Sequence, residues 1–372
     1  PESKMRIHHL ASEGGQGKTS PLVGVTCSSG LVCVTTVSEV TLYDISELTD
    51  DDPVAQARWE LPRPFSCAAV INSRSQSLYG VETDSLVCWH ESDLGMEKIK
   101  SIKMASAVFS LHSCHHRTLD AAVVVESSGD VSVVTSDPVK IASWRPRNSG
   151  NHKSSHVLCS EAHATQATPQ EADESSHTCD IVVVLLSGPN GDANLAILAL
   201  TCKNPSNKSA GASGNDLTTM NGSGVELACL ATHNLAVPEQ CILEGASFAF
   251  DGSSFLSMLW SMSNPGKGEE RCVVWQNMEL DQSDLAKTPK VVLAQRMPSG
   301  EAIVAVASGG QFAMIGQRTS SGGEHFGCLT LWDSVYGVML SDTPFLDAGN
   351  SNGGRGKGKN SKTRPRHMTF AR

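Results

Sequence analysis

A chain of 372 residues exceeds what one hydrophobic core usually organises, about 250 to 300 residues, unless it is built from repeats. Apolar residues make up 40% of it and aromatics only 5%, which excludes a wholly disordered chain and suits many short strands joined by polar turns. No run of about 18 uncharged apolar residues occurs, and Pro1 to Leu10 carry charges and two histidines in place of an apolar leader, so a soluble, intracellular protein without membrane contact is predicted. A first residue of Pro predicts a trimmed chain.

Residues 1–21 read as a flexible N-terminal segment containing a ring-closing strand candidate, Met5 to Leu10. From residue 22 onward, apolar runs of four to eight residues alternate with Ser, Gly, Asn and Asp. Leu22 to Thr26, Leu31 to Thr35, Val40 to Ile45 and Ala57 to Leu61 form a first set of four predicted strands. A second set comprises Ser66 to Ile71, Ser77 to Glu82, Ser85 to His90 and Lys98 to Met104. A third comprises Ala107 to His112, Ala121 to Glu126, Val131 to Thr135 and Lys140 to Trp144. The repeat of about 40 to 45 residues is that of four-stranded propeller blades.

The fourth set, Ser155 to Ser160, Cys179 to Ser187, Asn194 to Cys202 and Gly224 to His233, carries two polar inserts near 161–177 and 203–223. Their Ser, Asn, Gly and Thr content predicts disordered loops. A fifth set spans Gly245 to Gln295 and a sixth Ile303 to Leu340. The predicted fold is therefore all-β, a WD-like propeller of six or seven blades over residues 22–345. A basic Gly-rich tail or truncated loop occupies 346–372, where Arg366 to Phe370 is a second ring-closing candidate. Third strands ending in an aromatic, Val40-Thr-Leu-Tyr-Asp, Leu86-Val-Cys-Trp-His, Cys272-Val-Val-Trp-Gln and Cys328-Leu-Thr-Leu-Trp-Asp, support that fold. In blades such an aromatic packs between sheets and the polar residue after it bonds a turn.

The chemistry-bearing motifs are weak. Glu13-Gly-Gly-Gln-Gly-Lys-Thr19 looks like a phosphate loop, but Ser12 replaces the first Gly, Glu13 would repel phosphate, and a strand follows where a helix is needed. Cys114-His-His116 and the group Cys159, His163, His177 and Cys179 hold metal-ligand residue types without compact spacing, so no metal is predicted. The twelve cysteines are spread singly in apolar runs and read as buried thiols, against the alternative of a disulfide framework. The sequons at Asn207 and Asn221 would matter only in a secreted protein. Acidic runs at Asp50 to Asp52 and Glu171 to Glu174 read as solvated turns. No cofactor, catalytic residue or small-molecule substrate is predicted, and an enzyme ranks third among the readings.

Charge is uneven. Residues 353–372 hold seven basic residues and no acid, so against a chain total of -10 the remainder carries -17. Arg355, Lys357, Lys359, Lys362, Arg364 and Arg366 are the candidate RNA contacts, acting by counterion release; the same tail also reads as a plain exposed linker.

The strands Leu22-Val-Gly-Val, Val40-Thr-Leu-Tyr-Asp, Val87-Cys-Trp and Cys328-Leu-Thr-Leu-Trp-Asp, in this order over about residues 20 to 340, resemble the N-terminal propeller of the nucleolar protein eleven family. That resemblance implies a non-catalytic scaffold of the small-subunit processome in the nucleus and nucleolus. Its implied partners are other propeller proteins and pre-ribosomal RNA. The chain departs from that pattern in its long inserts and in lacking a helical region after residue 345. The alternative is a propeller adaptor in another intracellular complex.

Overall fold

The computed structural model describes residues 21–28, 31–44, 55–72, 77–92, 95–114, 119–137, 139–146, 156–164, 180–187, 192–202, 225–239, 241–250, 255–262, 272–281, 284–298, 302–307, 311–319, 325–333 and 336–345. All its regular elements are strands, arranged as six antiparallel sheets of four. The first sheet holds β1 (Leu22–Ser28), β2 (Leu31–Thr36), β3 (Glu39–Asp44) and β4 (Ala55–Glu60). The second holds β5 (Val70–Ile71), β6 (Leu78–Glu82), β7 (Ser85–Ser92) and β8 (Gly95–Lys103), and the third β9 (Val108–Ser113), β10 (Ala121–Glu126), β11 (Val131–Thr135) and β12 (Lys140–Trp144). The fourth holds β13 (Val157–Ala164), β14 (Asp180–Ser187), β15 (Ala193–Cys202) and β16 (Val225–Leu235). The fifth holds β17 (Cys241–Phe250), β18 (Phe255–Met262), β19 (Cys272–Glu279) and β20 (Lys290–Pro298). The sixth holds β21 (Ala302–Ala307), β22 (Gln311–Thr319), β23 (His325–Asp333) and β24 (Met339–Phe345).

Each sheet is a meander of four consecutive strands, and the first strands of successive sheets touch in the order β1, β5, β9, β13, β17, β21. First strands that converge are the arrangement of propeller blades, and between the third and fourth sheets the outer strands β12 and β16 touch as well. Burial follows from it. Every residue of β10 is buried because both faces of its sheet are covered, so its sequence is a continuous apolar run. The outermost β4 alternates half-buried and exposed positions.

The core lies between sheets. Val40, Phe65 and Leu78 join the first sheet to the second, and Tyr79, Leu86, Leu111 and Val124 the second to the third. Val123, Val133, Val184 and Leu198 join the third to the fourth, and Leu185, Ile197, Met258 and Trp260 the fourth to the fifth. At the next junction the rings of Trp275 and Trp332 meet edge to face, 5.5 Å apart.

One irregularity recurs in all six blades: the fourth strand carries an extra residue against the third. The inserted residues are Gln56, Ile99, Ile141, Leu230, Val292 and Leu340. This bulge gives the blades a common register in which Tyr43, Trp89, Val134, Leu198, Met278 and Trp332 are equivalent. Trp275 therefore does not belong with the other strand-ending aromatics. It stands three residues earlier, inside β19, and Met278 occupies the aromatic position. Other equivalences follow. Glu82 and Glu126 end the second strands of the second and third blades, and each reaches a lysine at the matching place, Lys98 at 2.8 Å and Lys140 at 3.6 Å.

Two strand expectations need correction. The insert near 161–177 begins later, because β13 runs through Glu161 to Ala164 in register with β14. An inner strand has a partly open face, so polar residues do not end it. The strand expected from Ser66 to Ile71 is reduced to β5 at Val70 and Ile71. Ahead of it, the Ala69 N–H donates to Thr35 Oγ1 and the Ala69 carbonyl accepts from Thr26 Oγ1, so this backbone is spent on the first blade. Neither terminal strand is needed to complete a described sheet; both ring-closing candidates, with the insert near 203–223 and the segments 1–20 and 346–372, lie outside the described residues.

Gly80 shows how tightly adjacent blades meet. A Cβ there would stand 2.2 Å from the Phe65 ring, which is buried between the first and second sheets. Gly80→Ala should cost about 1 to 3 kcal/mol in urea unfolding, as overpacking does. In Phe65→Leu, which vacates that space, the same substitution should cost less than half as much.

Candidate protein-docking surface

The polar groups at the blade junctions hold sheets together. Ser77 Oγ and the Tyr79 hydroxyl each donate to Asp120, at 3.1 Å, across the junction of the second and third blades, and Ser77 Oγ lies 3.2 Å from His90 Nδ1. Burial, reinforced by the Asp120 carboxylate, pushes the Tyr79 phenol above its ordinary range, so it stays a donor. Ser, His and Asp thus meet here in the wrong order for nucleophilic catalysis: the carboxylate takes the serine's proton where it should orient the histidine. Ser77 is also fully buried. At the next junction the position of Asp120 is taken by Asp180, a buried carboxylate that accepts from Cys114 Sγ at 3.3 Å.

The inner strands β9 and β13 bring together Ser110, His112 and Ser160, the inward-facing polar cluster that an enzymatic reading would require. His112 Nε2 is 3.1 Å from Ser110 Oγ and 3.0 Å from Ser160 Oγ, and the two hydroxyls are 2.5 Å apart. One ring nitrogen shared between two hydroxyls that also bond each other forms a clasp between the third and fourth blades. Three of the cysteines are held as thiols. Burial pushes Cys33, Cys67 and Cys88 each up to about 12, so they are neutral thiols at pH 7. Among the described residues no group of three or more His, Cys, Asp or Glu could hold a metal ion. Cys159 lies on β13, while His116, His177, Cys179 and the loop Glu13 to Thr19 fall outside the described residues, as do the tail residues Arg355, Lys357, Lys359, Lys362, Arg364 and Arg366.

The outer rim differs sharply between the two halves of the molecule. At the bulge and the residue before it, the first blade has Ala55 and Gln56, the second Lys98 before its bulge, and the third Lys140 and the half-buried Ile141, with Val139 beside them 55% exposed. The last three present Cys229 and Leu230, Val291 and Val292, and Met339 and Leu340. Leu230 is 43% exposed, Val291 48% and Leu340 48%, and Tyr336 in the turn before β24 is 77% exposed, with Val338 beside it. Cys229, Val291 and Met339 are equivalent on three successive blades and all are exposed, so they make a row, where isolated apolar residues would need no explanation.

Two local contacts tie these blades together near the rim. Gly337, at φ +63°, brings the turn that carries Tyr336 so close to the fifth blade that a Cβ would meet Leu293 at 2.8 Å. The polar residue after the aromatic organises the same turn: Asp333 Oδ1 accepts from the Tyr336 N–H at 2.8 Å and the Asp333 carbonyl from that of Gly337. Between the fourth and fifth blades, the His233 ring bonds the backbone of Leu285, just ahead of β20.

His233 Nε2 is buried without a hydrogen-bond partner, and burial lowers the ring's affinity for a proton. A folded-state value below the unfolded one, about 6.5, leaves the stability from neutral His233 intact above that pH. It is lost as pH falls through 6.5 toward the folded value. The urea midpoint of the wild type should therefore drop more steeply than that of His233→Phe between pH 7 and 5.

Sheet order and shared bulge register define the class, a β-propeller. No protein-family model matches the chain, and no curated protein matches it in sequence. Among solved structures, the WD40 domain of SCAP from fission yeast is similar at 10% identity and a TM-score of 0.46, over 87% of this chain and 73% of that one. A functionally unknown protein from Desulfotomaculum acetoxidans gives 14% and 0.45, over 86% and 84%. BBS1N, crystallised in complex with ARL6DN, gives 8% and 0.46, over 88% and 81%.

Proposed function

We propose that this protein is a propeller scaffold that docks another protein on the outer rim of its fourth, fifth and sixth blades. The observation that carries this reading is the row of exposed Cys229, Val291 and Met339 at the position before the bulge of β16, β20 and β24, where the other blades have Ala55, Lys98 and Lys140. Edge strands left free are usually protected by charge, as Lys98 and Lys140 protect β8 and β12. Where the lysine is replaced by Cys229, Val291 and Met339, an interface is the use that accounts for the exposed area.

The narrower reading is a scaffold of the small-subunit processome, located in the nucleolus, whose basic tail from Arg355 to Arg366 meets pre-ribosomal RNA. It is supported by the strand motifs from Leu22 to Asp333 and by the contrast between an acidic body and a basic tail. Affinity purification of the full-length chain tests it. Recovery of pre-ribosomal RNA with other processome propellers is the expected result; recovery of protein partners without either would leave an adaptor of another complex.

A further inference from the structure

We infer that a second surface, apart from the rim, takes a short peptide of a partner protein, apolar at both ends and acidic between, across the end of the molecule where the first strands begin. At that end the first three blades are held by hydrogen bonds between hairpins and connections. The Val37 N–H donates to the Pro21 carbonyl at 3.0 Å, the Leu61 N–H to the Ser38 carbonyl at 2.8 Å and the Ser127 N–H to the Ala107 carbonyl at 2.7 Å. The backbone is fixed, yet large apolar side chains on it are open: Leu22 is 45% exposed, Val37 37% and Phe109 39%. Phe109 is a bulge residue, inserted into β9 opposite the end of β10. A bulge at the same register of β13 inserts Leu158, which packs between the fourth and fifth blades. A bulge re-aims the side chain it inserts, and in the third blade it leaves an aromatic ring open to solvent.

Charge selects the occupant. Asp84 and Asp130, in the hairpins of the second and third blades at this end, are taken up by Lys103 at 3.4 Å and Arg145 at 3.1 Å. Arg63, on the connection from β4 to β5, is exposed and pairs with no acid among the described residues. Its place is fixed, because Pro64 restricts Arg63 to extended backbone and Phe65 anchors the segment between the first and second sheets. By blade order the cation lies between Leu22 and Val37 of the first blade and Phe109 of the third, and it is complementary to an acidic side chain. Neighbouring sheets pack about 10 Å apart, so the two apolar places are at most about 20 Å from each other, roughly six residues of extended chain. An occupant of that length carries two large apolar side chains about four to six positions apart, with an Asp or Glu between them.

The test selects from a displayed library of random dodecapeptides on the immobilised full chain and measures the Kd of the enriched peptides by fluorescence polarisation. Enriched peptides are expected to show the spacing above. Phe109→Ser should weaken them at least about tenfold with an unchanged melting curve. Arg63→Glu should weaken them about five- to tenfold, and the same peptides with Lys in place of the acid should recover on Arg63→Glu, which a structural role of Arg63 would not produce. The chain with Tyr336→Ala and Leu340→Lys should bind them as the wild type does, so this surface and the rim stand or fall separately. No enrichment, equal binding by Phe109→Ser, or acidic peptides held by Arg63→Glu as tightly as by the wild type would overturn the proposal.

Discussion

The chain with Tyr336→Ala and Leu340→Lys is expected to fold as the wild type does and to lose its protein partner. Both side chains are exposed, so surface substitutions there should change stability by no more than about 0.5 kcal/mol. In an interface the same changes delete an aromatic anchor and bury an unpaired ammonium. Each type costs at least about 2 kcal/mol at a hot spot, roughly thirtyfold in affinity. The bulge register supplies a demanding control. Gln56→Lys puts the same charge at the same structural position on the first blade and should leave binding unchanged. Quantitative pull-down with a melting curve of each variant decides the matter; equal losses from both positions would contradict a surface confined to the last three blades.

The second large effect lies in the core. Trp275 is fully buried, packs edge to face on Trp332 of the next blade, and donates from Nε1 to Ser257 Oγ at 2.6 Å; that hydroxyl in turn donates to Asn277 Oδ1 at 2.7 Å. Trp275→Ala should cost about 3 to 5 kcal/mol by cavity formation, a large part of the 5 to 15 kcal/mol that holds a typical domain together. Trp275→Phe keeps most of the ring contact and leaves the Ser257 oxygen short of a donor, for about 1 to 2 kcal/mol. Urea unfolding followed by Trp fluorescence and by circular dichroism gives both values. A cost under about 1 kcal/mol for the alanine variant would mean that the fifth and sixth blades are not joined through this ring.

The contrast between Trp275 and Trp332 shows where reading from sequence stops. Groups of four apolar strands were legible because the middle strands, covered on both faces, are unbroken runs such as Ala121 to Glu126. The aromatic positions were legible in three blades and misplaced in the fifth, since Cys272-Val-Val-Trp-Gln has the residues of a strand ending but not its register. Register is set by the bulge, and the bulge has no residue signature: Gln, Ile, Ile, Leu, Val and Leu occupy it in turn. The polar residue after the aromatic bonds a turn as expected at Asp333, which holds the turn before β24, whereas Asp44 accepts instead from Gln56 Nε2, inside β4, at 3.1 Å.

The docking row was invisible for a related reason. A short apolar run reads the same whether its side chains point between blades or out at the rim, and Val291 and Val292 sit in a strand that looks like any other. Only the bulge register places Cys229, Val291 and Met339 on one line. The long reach of β13 was hidden by its polar residues, which suit a strand whose inner face is only partly covered. The carboxylates Asp120 and Asp180 were likewise unremarkable in sequence, because their role depends on the serine, tyrosine and cysteine of the preceding blade.

A circular arrangement of equivalent blades underlies the rim row, and distances between spin labels measure it directly. Labels introduced through a non-natural amino acid at Cys229, Val291 and Met339, the matching positions of the last three blades, give three pairwise distances. The two nearest-neighbour distances should agree, and the outer pair should be about 1.7 to 1.8 times as far apart, the chord ratio of a six- or seven-bladed ring. Unequal neighbour distances, or an outer distance near twice the inner one as in a linear stack, would contradict the arrangement.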